Sequence, residues 1–183
     1  MAYLRQARSA PSSAASEHEC VAAFDRELSY LFTTLRRLGA RPPEIEDLAQ
    51  EVFLVLHKNW ASVDKSRPLR PYLFGVAFRV FCAHARRRRR EIPTDRVEIL
   101  DESVSPEGLL ERKQATALLL AALERVPLRR RAVLVMYELD DVPIAEISRR
   151  LSMSEFGTYS RLRKGRKELL AAVRRLTGKG RSE

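Results

Sequence analysis

Between Glu155 and Leu176 the chain carries seven Lys or Arg residues against two acids, Glu155 and Glu168. Read as a helix, this stretch keeps Thr158, Leu162, Gly165, Leu169 and Val173 on one face. Tyr159, Ser160, Arg161, Arg163, Lys164 and Lys167 then point elsewhere. A helix that is apolar on one side and cationic on the other suits recognition of a polyanion. It can enter the major groove of DNA while flanking arginines hold phosphates. The alternative is a bundle helix with a solvated basic face. Turn chemistry and charge excess coincide here, which favours DNA.

Such a helix needs a support that presents it. Ile144, Ile147 and Leu151 recur at helical spacing after Pro143, and Ser152-Met153-Ser154 interrupts before the basic run. The pattern predicts a short helix, a tight turn and a long helix, the form of a helix-turn-helix. Ser152 with Glu155 can form a capping box at the start of the long helix, and Ser154 is an equal candidate for the cap. The helix Leu128 to Leu139 supports the motif. Before it, Ser105 as N-cap and Pro106 open a helix through Leu109, Ala117, Leu120 and Leu123 to Val126.

The N-terminal half shows three further helical stripes. Val21, Phe24, Leu28, Leu31, Phe32, Leu35 and Leu38 form the first, from near Glu17 to Gly39. Pro42-Pro43 opens the second, with Ile45, Leu48, Ala49, Val52, Phe53, Val55 and Leu56 as its buried side. From Pro42 to His57 there are four acids and no Lys or Arg. Glu44, Glu46 and Asp47 suit the helix dipole, but Asp47, Gln50 and Glu51 also make a polar ridge. An acidic face on a basic protein is a candidate protein-docking surface. The third stripe starts around Pro68, runs through Tyr72, Leu73, Val76, Ala77, Val80 and Phe81, and ends in five arginines, Arg86 to Arg90. Its rings and cations suit unstacked single-stranded bases, although rings at this spacing are more often core.

Composition bounds the function. At 183 residues, with a formal net charge of +10 and a pI near 10.2, the chain has material for one domain or two small ones and points to a polyanionic partner. No apolar run reaches the roughly 20 residues needed to span a bilayer, and residues 1–16 have no apolar core that would make a secretory signal. Cys20 and Cys82 stand apart from any partner at ligand spacing, so neither a disulfide framework nor a zinc site is expected, and two isolated thiols suit a reducing cytoplasm. His18, His57 and His84 are scattered singly, and no P-loop, dinucleotide fingerprint or nucleophile elbow is present. No catalysis, cofactor, metal or small-molecule substrate is expected.

The expected fold is all-α: two small helical domains joined by an acidic linker, the C-terminal one a helix-turn-helix. The boundaries are a disordered tail (1–16), a first domain (17–90), a linker (91–105), a second domain (106–177) and a short tail (178–183). From Glu91 to Glu107 the chain holds six acids and one Arg, a composition that cannot bury a core and predicts an extended link.

The order of these pieces resembles the extracytoplasmic-function sigma factors, the minimal members of the bacterial sigma-70 class. EIEDLAQEVFLVLHKNW is similar to that family's core-binding segment, RPLRPYLFGVAFRVFCAHARRRRR to its promoter-melting segment, and PLRRRAVLVMYELDDVPIAEISRRL with the basic helix to its second DNA-binding domain. The resemblance covers nearly everything from about Phe24 to Leu176. It implies a cytoplasmic factor that binds core RNA polymerase and promoter DNA and is often restrained by an anti-sigma factor. By position, Asp47, Gln50 and Glu51 would dock on the clamp helices of the beta prime subunit. Arg67, Arg70, Tyr72, Arg79, Arg86, Arg87 and the neighbouring rings would hold the melted minus-ten strand. Tyr159, Ser160, Arg163 and Lys164 would reach base edges of the minus-thirty-five duplex, with Arg131 and Arg161 as phosphate clamps. The acidic linker would pass through the polymerase cleft.

The departures fall on contact surfaces. Phe156-Gly157-Thr158 stands where the family commonly has Gly-Thr-Val, so Phe156 must find a burial site. Phe78-Arg79 replaces a common Arg-Asn pair, Ala83 stands where Asp is usual, and Pro143 removes a hydroxyl cap. Two other functions remain open: a polymerase-independent helix-turn-helix regulator, and a sigma-like interaction module that reads no promoter.

Overall fold

A computed structural model describes residues 13–91 and 107–178, which form seven α-helices with no strand among them. These are α1 (Ser13–Leu38), α2 (Ile45–Asn59), α3 (Leu69–Glu91), α4 (Glu107–Glu124), α5 (Leu128–Glu138), α6 (Ile144–Arg150) and α7 (Glu155–Gly178). Single 3-10 turns at Pro42–Glu44 and Trp60–Ser62 flank α2. Residues 1–12 of the expected tail (1–16), residues 92–105 of the expected linker (91–105) with its Ser105-Pro106 helix start, and residues 179–183 of the expected C-terminal tail (178–183) lie outside the described residues, whereas Glu91 and Gly178 belong to α3 and α7. Residues 13–16 belong to α1, not to the tail.

The first domain packs α1, α2 and α3 around one another. Cys20, Phe24, Leu31, Leu35 and Leu38 point inward from α1, whereas Val21, one residue out of phase with them, is exposed. Leu48, Val52 and Leu56 face them from α2, and Leu73, Phe74, Val76, Ala77 and Phe81 from α3. Phe74, Phe78 and Phe81 are therefore core and offer no platform for bases; of the rings expected at the promoter, Tyr72 alone keeps part of its surface.

The end of α1 is fixed by Gly39 at φ 103°. Its N–H donates to Arg36 O (3.0 Å) and that of Ala40 to Leu35 O (3.0 Å), the reciprocal pair of a Schellman stop. A Cβ on Gly39 would also lie 2.5 Å from the Arg131 guanidinium, so glycine is required there by both backbone and space.

In the second domain α5 is the hub. Ala132, Val133, Leu134, Val135 and Met136 are all buried, because α5 meets α4, α6 and α7 on one side and α1 and α3 of the first domain on the other. A helix enclosed all round needs no polar face. The α4 stripe is narrower than its sequence suggests: Leu123 and Val126 are buried, but Ala117 is exposed.

Glu44 anchors the corner between α1 and α2. It is buried, and its carboxylate accepts from Arg41 N (2.8 Å), Arg41 Nη2 (2.5 Å) and Arg88 Nη1 (3.3 Å), with His84 Nε2 3.2 Å away. Burial pushes its pKa up, but the bonds from Arg41 and His84 outweigh burial and hold it at about 2, against an ordinary 4.5. A depressed carboxyl stabilises the fold above its unfolded value, and that contribution is lost as pH falls through the folded value. Thermal melts of the full chain should therefore lose on the order of 1 to 3 kcal/mol between pH 4.5 and about 2 through this group. Glu44→Gln should melt lower at neutral pH and show a flatter acid limb; an unchanged limb would remove Glu44 from the account.

Candidate nucleic-acid interface

The helix-turn-helix is assembled by a few specific contacts. Ser154 caps α7: its hydroxyl accepts from Gly157 N (3.1 Å), and its carbonyl accepts from Thr158 N (2.9 Å). Ser152 instead takes a left-handed backbone, φ 52°, in the turn. Buried Ser148 on α6 donates to Ile144 O (2.8 Å) and shares a 2.9 Å hydrogen bond with Thr158 on α7, which sets the angle between the two helices. Pro143 precedes α6 without a side-chain cap.

α7 turns Thr158, Leu162, Gly165 and Ala172 into the core. Gly165 lets it approach α5 closely, since a Cβ there would meet Leu134 at 3.3 Å and the Arg130 carbonyl at 3.4 Å. Arg166 is held on α5 by Glu138 (2.6 Å) and over the Tyr137 ring, and Arg130 of α5 pairs with Glu168. Tyr159, Arg163 and Lys164 remain exposed on the outer face and Ser160 is half-buried beside them. Arg161 is also half-buried, its Nη1 donating to Gly157 O (2.9 Å). These five residues form one continuous wall.

Arg131 does not belong to that wall. Only 7% exposed, it donates Nη1 to Leu38 O (2.7 Å), Nη2 to Glu124 O (2.6 Å) and Val126 O (3.1 Å), and Nε to Val126 O (3.2 Å). The expected phosphate clamp is corrected by this geometry: the guanidinium is occupied by the carbonyl ends of α1 and α4. Phe156 is a second correction, since it finds no burial site and stands 85% exposed.

The candidates on α3 and the loop before it divide among three neighbours. Arg79 donates to Arg150 O (3.3 Å) and Tyr72 lies under the Arg150 guanidinium (5.4 Å), so both face α6. Arg67 pairs with Asp64 (3.2 Å) and, across the domains, with Glu146 (3.6 Å). Arg70 pairs with Glu27 of α1 (2.8 Å) and covers the Tyr30 ring. Arg87 reaches back to Glu51 of α2 (3.0 Å), while Arg86 is exposed. The structure thus gathers Arg67, Tyr72 and Arg79 beside α6 and leaves Arg86 and Arg87 at the far end of α3.

On α2, Asp47 and Gln50 are exposed and Glu51 is half-exposed, tied to Arg87. Leu54, 60% exposed, extends the ridge by one turn. Its spacing from Gln50 and Glu51 was the available signal, masked because a leucine in this helix reads as core.

The two domains close on each other. Tyr30 Oη donates to Asp140 Oδ2 (2.7 Å), and Arg37 Nη1 to Asp140 Oδ1 (3.1 Å). Burial raises the Asp140 pKa against the opposing pull of Tyr30 and Arg37. Arg150 O lies 3.2 Å from where a Cβ on Gly75 would stand, so α3 and α6 touch backbone to backbone. A cleft of about 920 Å³ opens beside this contact, lined by Tyr30, Arg37, Arg67, Arg70, Asp140 and Glu146 among others.

Family models for Sigma-70 region 2 and Sigma-70, region 4 match residues 23–91 and 116–169. The ECF RNA polymerase sigma factor SigF of Caulobacter vibrioides is 30% identical over 148 residues, 79% of this chain and 79% of that protein. This chain belongs to the extracytoplasmic-function sigma factors of the sigma-70 family. The ECF RNA polymerase sigma factor SigE of Mycolicibacterium smegmatis is 28% identical over 139 residues, 73% of this chain and 53% of that protein. Among solved structures, sigma factor RpoE of Bartonella quintana, in complex with the anti-sigma factor NepR, matches with a TM-score of 0.63 at 17% identity, over 86% of this chain and 95% of that one. CnrH, in complex with the cytosolic domain of CnrY, gives 0.55 at 18% identity, over 86% and 96%. At these identities the two structures establish the shared fold. Region 2 corresponds to α1–α3, and region 4 runs from within α4 into α7.

Among the described residues of this family member, no group of three or more His, Cys, Asp and Glu side chains is placed to hold a metal ion. No helix is long and apolar enough to cross a membrane. The domain contact is directly measurable. A double-mutant cycle of Tyr30→Phe and Asp140→Asn, read by chemical denaturation of the full chain, should give a coupling of about 1 kcal/mol. Zero coupling would mean the domains do not meet through this pair in solution.

Proposed function

We infer that this family member binds core RNA polymerase and directs it to promoters through two DNA surfaces, one on each domain. The observation that carries the reading is α7: a capped helix whose buried seam faces α5 and whose opposite wall presents Tyr159, Ser160, Arg163 and Lys164. Side chains in that position can reach base edges in a major groove, with Arg161 at the margin where phosphates run. Asp47, Gln50, Glu51 and exposed Leu54 form the polymerase-docking ridge, an acidic patch with one apolar anchor at its end.

The minus-ten strand would lie along α3 against Arg67, Tyr72 and Arg79, with Arg70, Arg86 and Arg87 as cationic flanks. Tyr72 and Arg79 are engaged by α6 in the closed arrangement, so use of this surface requires the second domain to move off α3. That movement breaks the Arg79 bond to Arg150 O, the Tyr72–Arg150 stacking and the Arg67–Glu146 ion pair, and it disturbs the part-buried Tyr30–Asp140 bond and the packing of α5 against α1 and α3, so it needs a binding surface that replaces them. Melting then needs no bond chemistry: unstacked bases bound more tightly than paired ones shift the equilibrium open. The factor works in the cytoplasm, where polymerase and chromosome are. A regulator of the anti-sigma class is a candidate partner, because RpoE of Bartonella quintana, a chain of the same fold, is solved in complex with one.

Two substitutions test the assignment separately. Asp47→Arg, at an exposed position, should weaken binding of the folded chain to core polymerase at least tenfold, and Glu51→Arg should do the same once its fold is checked. Full retained affinity in both would sink the docking ridge. Arg163→Ala should cost about 1 to 3 kcal/mol of discrimination between cognate and altered upstream duplexes. Equal loss on every duplex would make Arg163 a phosphate contact.

A further inference from the structure

Phe156 is the most exposed of the large apolar side chains described on α7, and neither the fold nor the charge pattern explains it. It follows the Ser154 cap by two residues and is 85% exposed, with Tyr159 one turn on at 59%. Helical spacing puts position 156 on the same face as 159, 160, 163 and 167. Thr158, Leu162, Gly165 and Ala172 occupy roughly the opposite face and are buried. The core therefore lies on the wrong side of the helix for the phenyl ring, and only rolling α7 would bury it. The cap closes directly behind it: Ser154 Oγ accepts from Gly157 N (3.1 Å), which orders the first turn of α7 that carries Phe156.

A single exposed aromatic is ordinary; one set in a cationic wall at the tip of a groove-entering helix is not. Exposed Arg163, Lys164 and Lys167 select a polyanion. Within the major groove of a duplex, the apolar feature that varies with sequence is the 5-methyl group of thymine, and Phe is among the side chains that pack on it.

We propose that Phe156 is a specificity-determining residue that packs on the 5-methyl group of a thymine in the upstream promoter duplex, with Tyr159 bordering the same base step. This rests on the reading of α7 as the duplex-reading helix. It adds an apolar contact at the tip of a wall otherwise made of hydrogen-bond donors. Phe156 then adds sequence preference at one end of the element.

Deoxyuridine tests this, because it removes the methyl group and keeps every hydrogen-bonding atom. Holoenzyme built from core polymerase and the full chain would be measured on its selected duplexes with each upstream thymine replaced in turn. One or two replacements should weaken wild-type binding by about fourfold, the value of one buried methyl. Phe156→Ala should bind thymine and deoxyuridine duplexes equally, and Phe156→Leu should keep part of the difference. An identical thymine-to-deoxyuridine ratio in wild type and Phe156→Ala at every position overturns the proposal. So does a Phe156→Ala variant that loses core-polymerase affinity with its methyl discrimination intact, which would make the ring a protein contact. Upstream preference without any methyl effect removes this inference alone; absence of any upstream preference removes the reading of α7 as well.

Discussion

The guanidinium of Arg131 joins the C-terminal carbonyls of α1 and α4 to the start of α5, and the relation between the two domains depends on it. Four hydrogen bonds to three backbone carbonyls compensate its removal from water. Helix C-termini leave carbonyls without partners and carry partial negative charge, so a cation is the group that satisfies them there. Burial brings the Arg131 pKa down to about 10, which still leaves it charged at neutral pH. Gly39 is the complement of this arrangement: its left-handed turn ends α1 with the Leu38 carbonyl aimed at the guanidinium, and its missing Cβ makes room.

Around that junction α5 meets both domains, and this explains what the sequence did and did not reveal. The seam of α7 was legible because one side of that helix faces solvent, so its apolar residues stand out at 3.6-residue spacing. Ala132 to Met136 carry no such contrast, because both domains enclose them, and the sequence suggested only a supporting helix. Arg129, Arg130 and Arg131 look alike in a row. What separates them is tertiary: Arg131 alone of the three meets the carbonyls of Leu38, Glu124 and Val126, the first of them 93 residues away in the chain. Glu44 suits the helix dipole and Glu51 a polar ridge by local pattern alone, whereas the fold encloses the first with Arg41, His84 and Arg88 and pairs the second with Arg87 from 36 residues away. Long-range pairs of this kind leave no local pattern.

Phe156 illustrates the opposite error. A phenyl ring next to a glycine suggests a side chain seeking a core, yet the position it occupies on the helix is the solvent side. Rings on α3 show the same logic reversed: Phe74, Phe78 and Phe81, placed among arginines in the sequence, belong to the core, while Arg70, Arg79, Arg86 and Arg87 reach the surface. Helical phase, more than residue type, decides which side chains are available to a nucleic acid.

Closure leaves the two proposed DNA surfaces in different states. The wall of α7 faces outward, while Tyr72 and Arg79 on α3 contact α6. On the proposed reading, the helix assigned to duplex DNA is exposed, and the surface assigned to the single strand is partly covered by α6. Transcription by purified core polymerase with and without the protein, on fragmented genomic DNA with RNA start sites sequenced, tests the account most directly. Discrete new starts that share upstream elements are the predicted result. No new starts, from active polymerase and a folded factor, would contradict it.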